Sequence, residues 1–187
     1  MFCYRNLRPF PDDCEVLLGI MRLTEEKNPD GFIRVYAALK LIRPTLHAVL
    51  LGDGPMRQVL ENLARQYQVT DSLVMPGKVD DTTAYLQQAS CLLCPSHTEG
   101  MPNVILEAQA HGLPLIATKV GGTQEALAEE LHGFLVDAND ENAMCSKLEA
   151  LLQNETNSRD SFRKVQVSLL ANRNQQRLAE QTLGLFS

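Results

Sequence analysis

Short runs of apolar residues alternate with longer stretches in which apolar positions recur every three or four residues. The first pattern fits strands and the second fits one-sided helices. The runs predict strands over Val16–Met21, Leu46–Leu51, Ser72–Met75, Cys91–Cys94, Leu115–Ala117 and Gly133–Val136. The periodic stretches predict helices over Asp30–Ile42, Pro55–Tyr67, Thr82–Gln88, Asn103–His111, Thr123–Glu130 and Glu141–Leu152. Several strand runs lack polar alternation, as expected of strands covered on both faces. Strand and helix in regular turn imply right-handed crossovers and a parallel sheet. The expected fold class is therefore α/β: a Rossmann-like, doubly wound parallel sheet of about six strands with flanking helices. Residues 1–15 read as a lead-in segment carrying two prolines and an acidic cluster. Residues 16–187 read as a single domain, ending in a polar, partly helical tail (153–187) whose last segment opens at Ser158, Arg159 and Asp160.

Composition narrows the function more than the fold. The chain has 187 residues, 44% hydrophobic and 21% charged, enough for one domain with a real core. Its formal net charge of -6, from 23 acidic and 17 basic residues, argues against a nucleic-acid or anionic-membrane partner. A single anionic ligand remains compatible, since a few placed cations hold one. No apolar run approaches the ~20 residues that span a bilayer, and MFCYRNLRPF has no signal-peptide core. The expected compartment is the cytoplasm, with peripheral attachment to the inner face of the membrane left open for a longer parent protein. Five scattered cysteines make a disulfide framework unexpected.

Doubly wound sheets bind ligands beyond the carboxyl ends of their strands, and the motifs of this chain lie just after such ends. The most informative is EGMPNVILE, bracketed by Glu99 and Glu107. Glu99 follows the Cys91–Cys94 run, and Glu107 lies about one turn inside a helix beginning near Pro102. Helical side chains lean toward the N-terminus, so Glu107 tilts back toward the mouth that Glu99 edges. The backbone N–H groups of Asn103 and Val104 point into the same mouth, where the helix dipole favours anions. Carboxylates for hydroxyls beside a helix end for phosphate suit a ligand that is part sugar and part pyrophosphate. The plainer alternative is a capping acid plus an exposed helix acid. The apolar neighbours Val104, Ile105 and Leu106 complicate it, because a charge among them must face a cleft or be paired.

Arg22 and Lys27 flank the loop before the helix that Pro29 opens, and both could reach a diphosphate. Two solvated surface cations are the commoner reading of such residues. Gly52 and Gly54 in LLGDGP permit close ligand approach at a strand-to-helix turn. With Arg57 at the third position they make no dinucleotide fingerprint, and a simple tight turn serves equally. Lys78 and Val79, after the third strand, could border a base or form an ordinary loop. Gly121-Gly122-Thr123 reads as a ligand-approach loop or a helix entry, with Thr123 as the N-cap. Cys91 and Cys94 have redox or zinc spacing, but on a strand they point to opposite faces and are expected to act as small core residues. No metal site is expected: the four histidines show no ligand spacing and no Asp-x-Asp occurs. His97 lies in the mouth, and His111 closes the helix.

Five segments in order give the chain a family likeness: GIMRLTEEKNPDGF, LLGDGPMRQVLENLA, VMPGKVDD, CPSHTEGMPNVILEAQAHGLPLIAT and VGGTQEAL…HGFLVD. Over about residues 16–152 it resembles the C-terminal, donor-binding domain of a GT-B-fold glycosyltransferase of family 4, the "group 1" glycosyltransferases. The fold would then be one half of a GT-B fold. The resemblance implies a uridine or guanosine diphosphate sugar as donor substrate, no cofactor and retention of anomeric configuration. It implies that Arg22 and Lys27 hold the pyrophosphate, Glu99 contacts the donor sugar, and Glu107 holds the ribose. Asn103 and Val104 would bind phosphate through their backbone. Lys78 and Val79 would occupy the loop that borders the base, and Gly52 would lie among the ligand-contacting positions. Glu99, Arg22 and Lys27 would carry catalysis, with the departing diphosphate stabilised electrostatically. Two departures stand out: Met21 where relatives have Gly, and Met101-Pro102 where many have an aromatic residue and Gly. The saccharide or lipid-linked acceptor would be held by an N-terminal domain for which 187 residues leave no room. Left open are a sugar-nucleotide epimerase or phosphorylase half, a non-catalytic nucleotide-sugar-binding module, and a thiol redox protein resting on Cys91 and Cys94.

Overall fold

A computed structural model describes residues 14–100, 102–154, 160–168 and 171. Six strands form one parallel sheet: β1 (Val16–Ile20), β2 (His47–Leu51), β3 (Leu73–Gly77), β4 (Cys91–Cys94), β5 (Leu115–Thr118) and β6 (Leu135–Val136). Between them run α1 (Pro29–Ile42), α2 (Arg57–Gln66), α3 (Thr83–Gln88), α4 (Asn103–Ala110) and α5 (Thr123–Ala126), with α6 (Glu141–Gln153) after the last strand. The strand order is β3-β2-β1-β4-β5-β6. The chain winds outward from β1 to β3, returns, and winds outward again from β4. The direction reverses between β1 and β4, the point at which doubly wound sheets place ligands beyond their strand ends.

The missing polar alternation has its physical counterpart in two cores. Along β4, Cys91 and Leu93 enter one core while Leu92 and Cys94 enter the other. Along β2, Ala48 and Leu50 oppose Val49 and Leu51 in the same way. The first core lies under α1, α2 and α6, through Phe32, Tyr36, Leu60 and Leu148. The second lies under α3 and α4, through Leu86 and Ile105, and is closed by Phe162 of the helical residues 160–168. Arg34 joins α1 to α6 by pairing with both Asp30 and Glu141.

Several boundaries differ from the sequence expectation for identifiable reasons. β3 continues through Pro76 to Gly77. Proline donates no ladder hydrogen bond, but β3 is an edge strand, where none is demanded on one side. The helix expected over Thr123–Glu130 stops at Ala126. There the Gln109 amide donates to the Ala126 carbonyl and accepts from the Ala128 N–H, replacing the helical partners. A 3-10 helix over Glu129–Phe134 then delays the start of β6 to Leu135. Finally, Thr123 is not the N-cap. Gly122 holds that position, and Thr123 is the first helical residue, its buried hydroxyl without a partner. Glu15, placed in the lead-in by sequence, pairs with Arg43 and accepts from the His47 N–H. Ser158, Arg159 and most of the lead-in lie outside the described residues.

Candidate active site

The loop after β1 turns through a 3-10 helix, Glu25–Lys27, into α1. The hinge is Asn28, held in the left-handed region (φ 52°), which asparagine tolerates better than most residues. Its side-chain oxygen caps α1 by accepting from the Gly31 N–H at 3.0 Å. Its amide donates to the Pro95 carbonyl at 3.0 Å, tying this turn to the loop after β4. The Glu26 carbonyl adds to the tie by accepting from the N–H groups of His97 and Thr98, at 2.8 and 3.3 Å.

That seam brings Lys27 and Glu99 together. Lys27 Nζ lies 2.7 Å from Glu99 Oε2, with side-chain exposures of only 16% and 7%. A pair so withdrawn from water persists only when its remaining hydrogen-bonding capacity is met. Ser96, fully buried, donates from Oγ to Glu99 Oε1 at 2.7 Å. The Ser96 carbonyl in turn accepts from the Thr118 hydroxyl at the end of β5. Behind them, burial pushes the Cys94 thiol up to about 11, with the Glu99 carboxylate adding to the shift. Gly121 packs against the backbone of Glu99: its φ is +48°, and a Cβ there would run into the Glu99 carbonyl oxygen.

On the other side of β1 lies a cleft of about 320 Å³ lined by Met21, Arg22, Leu51, Gly52, Lys78 and Thr82 among others. Val79 lines it too, so four of the sequence-derived candidates, Arg22, Gly52, Lys78 and Val79, share one cavity. Its walls are joined by backbone: Met21 N–H donates to Leu51, Leu23 N–H to Asp53, and Gly52 N–H to Gly77. Gly52 (φ 132°) permits this, since a Cβ there would strike the Met21 carbonyl. Met21, the first departure from the family pattern, forms part of the cleft wall.

Glu107, on α4, is exposed and accepts from the Thr82 hydroxyl at 3.3 Å, at the cleft edge. It therefore needs no buried partner, unlike Glu99. The helix begins at Asn103, with Pro102 as its N-cap residue. Asn103 and Val104 are thus its first two residues, whose N–H groups have no intrahelical acceptor. Met101, the other half of the second departure, lies outside the described residues.

The placement of Arg22 and His97 follows from their partners. Arg22 does not join Lys27: it is exposed and pairs with Glu26 at 2.8 Å. His97 contributes its backbone to the seam, and its side chain is exposed. Asn28 and Ser96 were missed, although an asparagine before a helix-opening proline is a legible N-cap signal. Nothing local marked Ser96. Cys91 and Cys94 face opposite cores, and three residues along a strand separate their Cα atoms by about 10 Å, too far for a disulfide. Among the described residues no cluster of three or more His, Cys, Asp or Glu side chains could hold a metal ion. Nor is any described helix long and apolar enough to cross a membrane.

The family described as "Glycosyl transferases group 1" matches over residues 4–166. The chain is 34% identical over 119 residues to the Vi polysaccharide biosynthesis protein VipC/TviE of Salmonella typhi, covering 64% of this chain and 21% of that protein. It is 33% identical over 148 residues to the putative colanic acid biosynthesis glycosyltransferase WcaL of Escherichia coli, covering 75% of this chain and 36% of WcaL. A mutant of S. aureus TarM, solved with fondaparinux, alpha-GlcNAc-glycerol and UDP, superposes with a TM-score of 0.78 at 16% identity, covering 97% of this chain and 38% of that one. At that identity the likeness concerns the fold, one half of the GT-B arrangement. The chain spans well under half the length of the curated relatives it matches, from 21% to 41%.

Proposed function

The chain belongs to the group 1 glycosyl transferases, and from that membership we propose that it is the donor-binding half of a retaining glycosyltransferase. It takes a UDP- or GDP-sugar and passes the glycosyl group to a saccharide or lipid-linked acceptor held by a facing domain. One observation carries the reading. A lysine and a glutamate from loops on either side of the strand-order reversal meet as a part-buried pair, Lys27 and Glu99. Such a site offers a cation to a diphosphate and a carboxylate to the hydroxyls of the sugar attached to it.

In this reading Lys27, Arg22 and the first N–H groups of α4, at Asn103 and Val104, neutralise the diphosphate. No metal is required for that task. The base enters the cleft beside Gly52, Lys78 and Val79, and Glu107 at its edge holds the ribose. As the bond from the sugar's anomeric carbon to the diphosphate breaks, its electrons pass to the departing oxygen, and the same cations stabilise that charge. The acceptor oxygen then bonds to the anomeric carbon on the face the diphosphate left, and its proton passes to the departing diphosphate oxygen. Half a cleft leaves the sugar facing water, so the chain alone binds donor but transfers little. Polysaccharide or glycoconjugate assembly at the cytoplasmic side of a membrane would suit such an enzyme.

Calorimetric titration with UDP, GDP, ADP and their sugars tests the proposal. The expected result is weak binding of one nucleotide class, unchanged by EDTA and weakened by Lys27→Ala and by Glu107→Ala. A folded sample that binds none of them overturns it.

A further inference from the structure

We propose that Ser96 is a positioning residue: it fixes the Glu99 carboxylate for the donor sugar while Lys27 changes partner from Glu99 to the diphosphate. The inference rests on the donor-binding reading above. The two oxygens of Glu99 are held by different parts of the molecule. Oε1 is held from inside, by the hydroxyl of fully buried Ser96 at 2.7 Å, with the Cys94 sulfur 3.9 Å away. Oε2 is held from another loop, by Lys27 at 2.7 Å. Ser96 cannot drift, because its carbonyl is bound by Thr118 on β5 and the preceding Pro95 carbonyl by Asn28.

This division has a consequence when an anion arrives. Lys27 is the more exposed member of its pair and the one a diphosphate attracts. Once Lys27 turns to it, the buried carboxylate keeps a strong donor only on Oε1. A carboxylate with neither donor would swing toward water, since an unpaired buried charge is costly. With Ser96 in place Glu99 stays oriented, and Oε2 is released to accept from a sugar hydroxyl. The serine therefore acts on the sugar and not on the nucleotide.

That selectivity separates positioning from ordinary structural support. The affinities of the 187-residue chain for UDP and for UDP-glucose are measured by calorimetry, with GDP and GDP-mannose run in parallel. Whichever pair binds supplies the ratio of sugar-nucleotide to bare-nucleotide affinity. Ser96→Ala is expected to lower that ratio about tenfold, in line with loss of a hydrogen bond to a charged group, while bare-nucleotide affinity changes less than twofold. Ser96→Thr, which keeps the hydroxyl, is expected to restore the ratio. Ser96→Cys, of similar volume but a weak donor, covers the case in which the alanine variant does not fold, and should also lower the ratio. Equal loss for both ligands, an unchanged ratio in the alanine or cysteine variant, or failure of threonine to restore it overturns the inference while leaving the donor-binding reading intact. Absence of any nucleotide binding by the unaltered chain removes the reading itself.

Discussion

The two sides of β1 are built differently. Toward β4, the seam between residues 25–28 and 95–99 is closed by side chains: Lys27 on Glu99, Asn28 on Pro95, Ser96 on Glu99. Toward β2 and β3, backbone hydrogen bonds join the loops, the Arg57 side chain adds a bond to the Met75 carbonyl, and the side chains of Arg22, Asp53 and Lys78 stand in solvent around the cleft. The first side spends its charged groups on each other before any ligand arrives. The second keeps its charged groups at the solvent surface, with Arg22 in an exposed pair with Glu26. A buried charge is tolerable only where it keeps a hydrogen-bond donor, so Glu99 is held from two sides. Exposed groups carry no such demand, and the cleft can adapt to what enters it.

The comparison breaks most visibly at Lys27. Lys27→Ala leaves the Glu99 carboxylate buried against Ser96 only, and should cost about 3 kcal/mol in urea denaturation, whereas a Lys27→Met, Glu99→Leu double variant should regain most of it. A loss below about 1 kcal/mol for the single variant would show the seam to be no more locked than the cleft. A smaller effect follows from Cys94. Its folded pKa, about 11, lies above its ordinary value of 9.0, so between them the folded chain holds a proton that the unfolded chain releases. Stability is then complete below pH 9 and falls as pH rises toward 11, by on the order of 2 kcal/mol. Cys94→Ala should flatten that part of a stability profile against pH. Least of all, Glu107→Ala on the open side should change stability by no more than about 0.5 kcal/mol, because its side chain is exposed and bonds the Thr82 hydroxyl at the surface. Melting temperatures of the pair of variants, Lys27→Ala and Glu107→Ala, set side by side, sharpen the contrast directly.

Much of this was legible in the sequence because apolar patterning is local and strong. Cys91–Cys94 coincides with β4, and the opposed faces of its two cysteines follow from a period of two. The cluster Arg22, Gly52, Lys78 and Val79 was legible as a set of strand-end positions, since a parallel sheet delivers all such ends to one edge. The errors came where a side chain distant in sequence overrides a local signal. Gln109 ends α5 from 17 residues away. Thr123 carries N-cap chemistry, yet the packing of Gly121 and Gly122 against residues 99–100 moves the cap to Gly122.

By itself the sequence determined the α/β alternation, the covered sheet and the strand ends at which chemistry could gather, because each depends on short-range periodicity and turn chemistry. Only the tertiary structure decided how the charges were partnered: Lys27 with Glu99 across 72 residues, Arg22 with Glu26 four residues on, and Glu107 with Thr82 at the rim. The reason is that burial sets the worth of a charge pair, and burial is known only when distant loops have closed on one another.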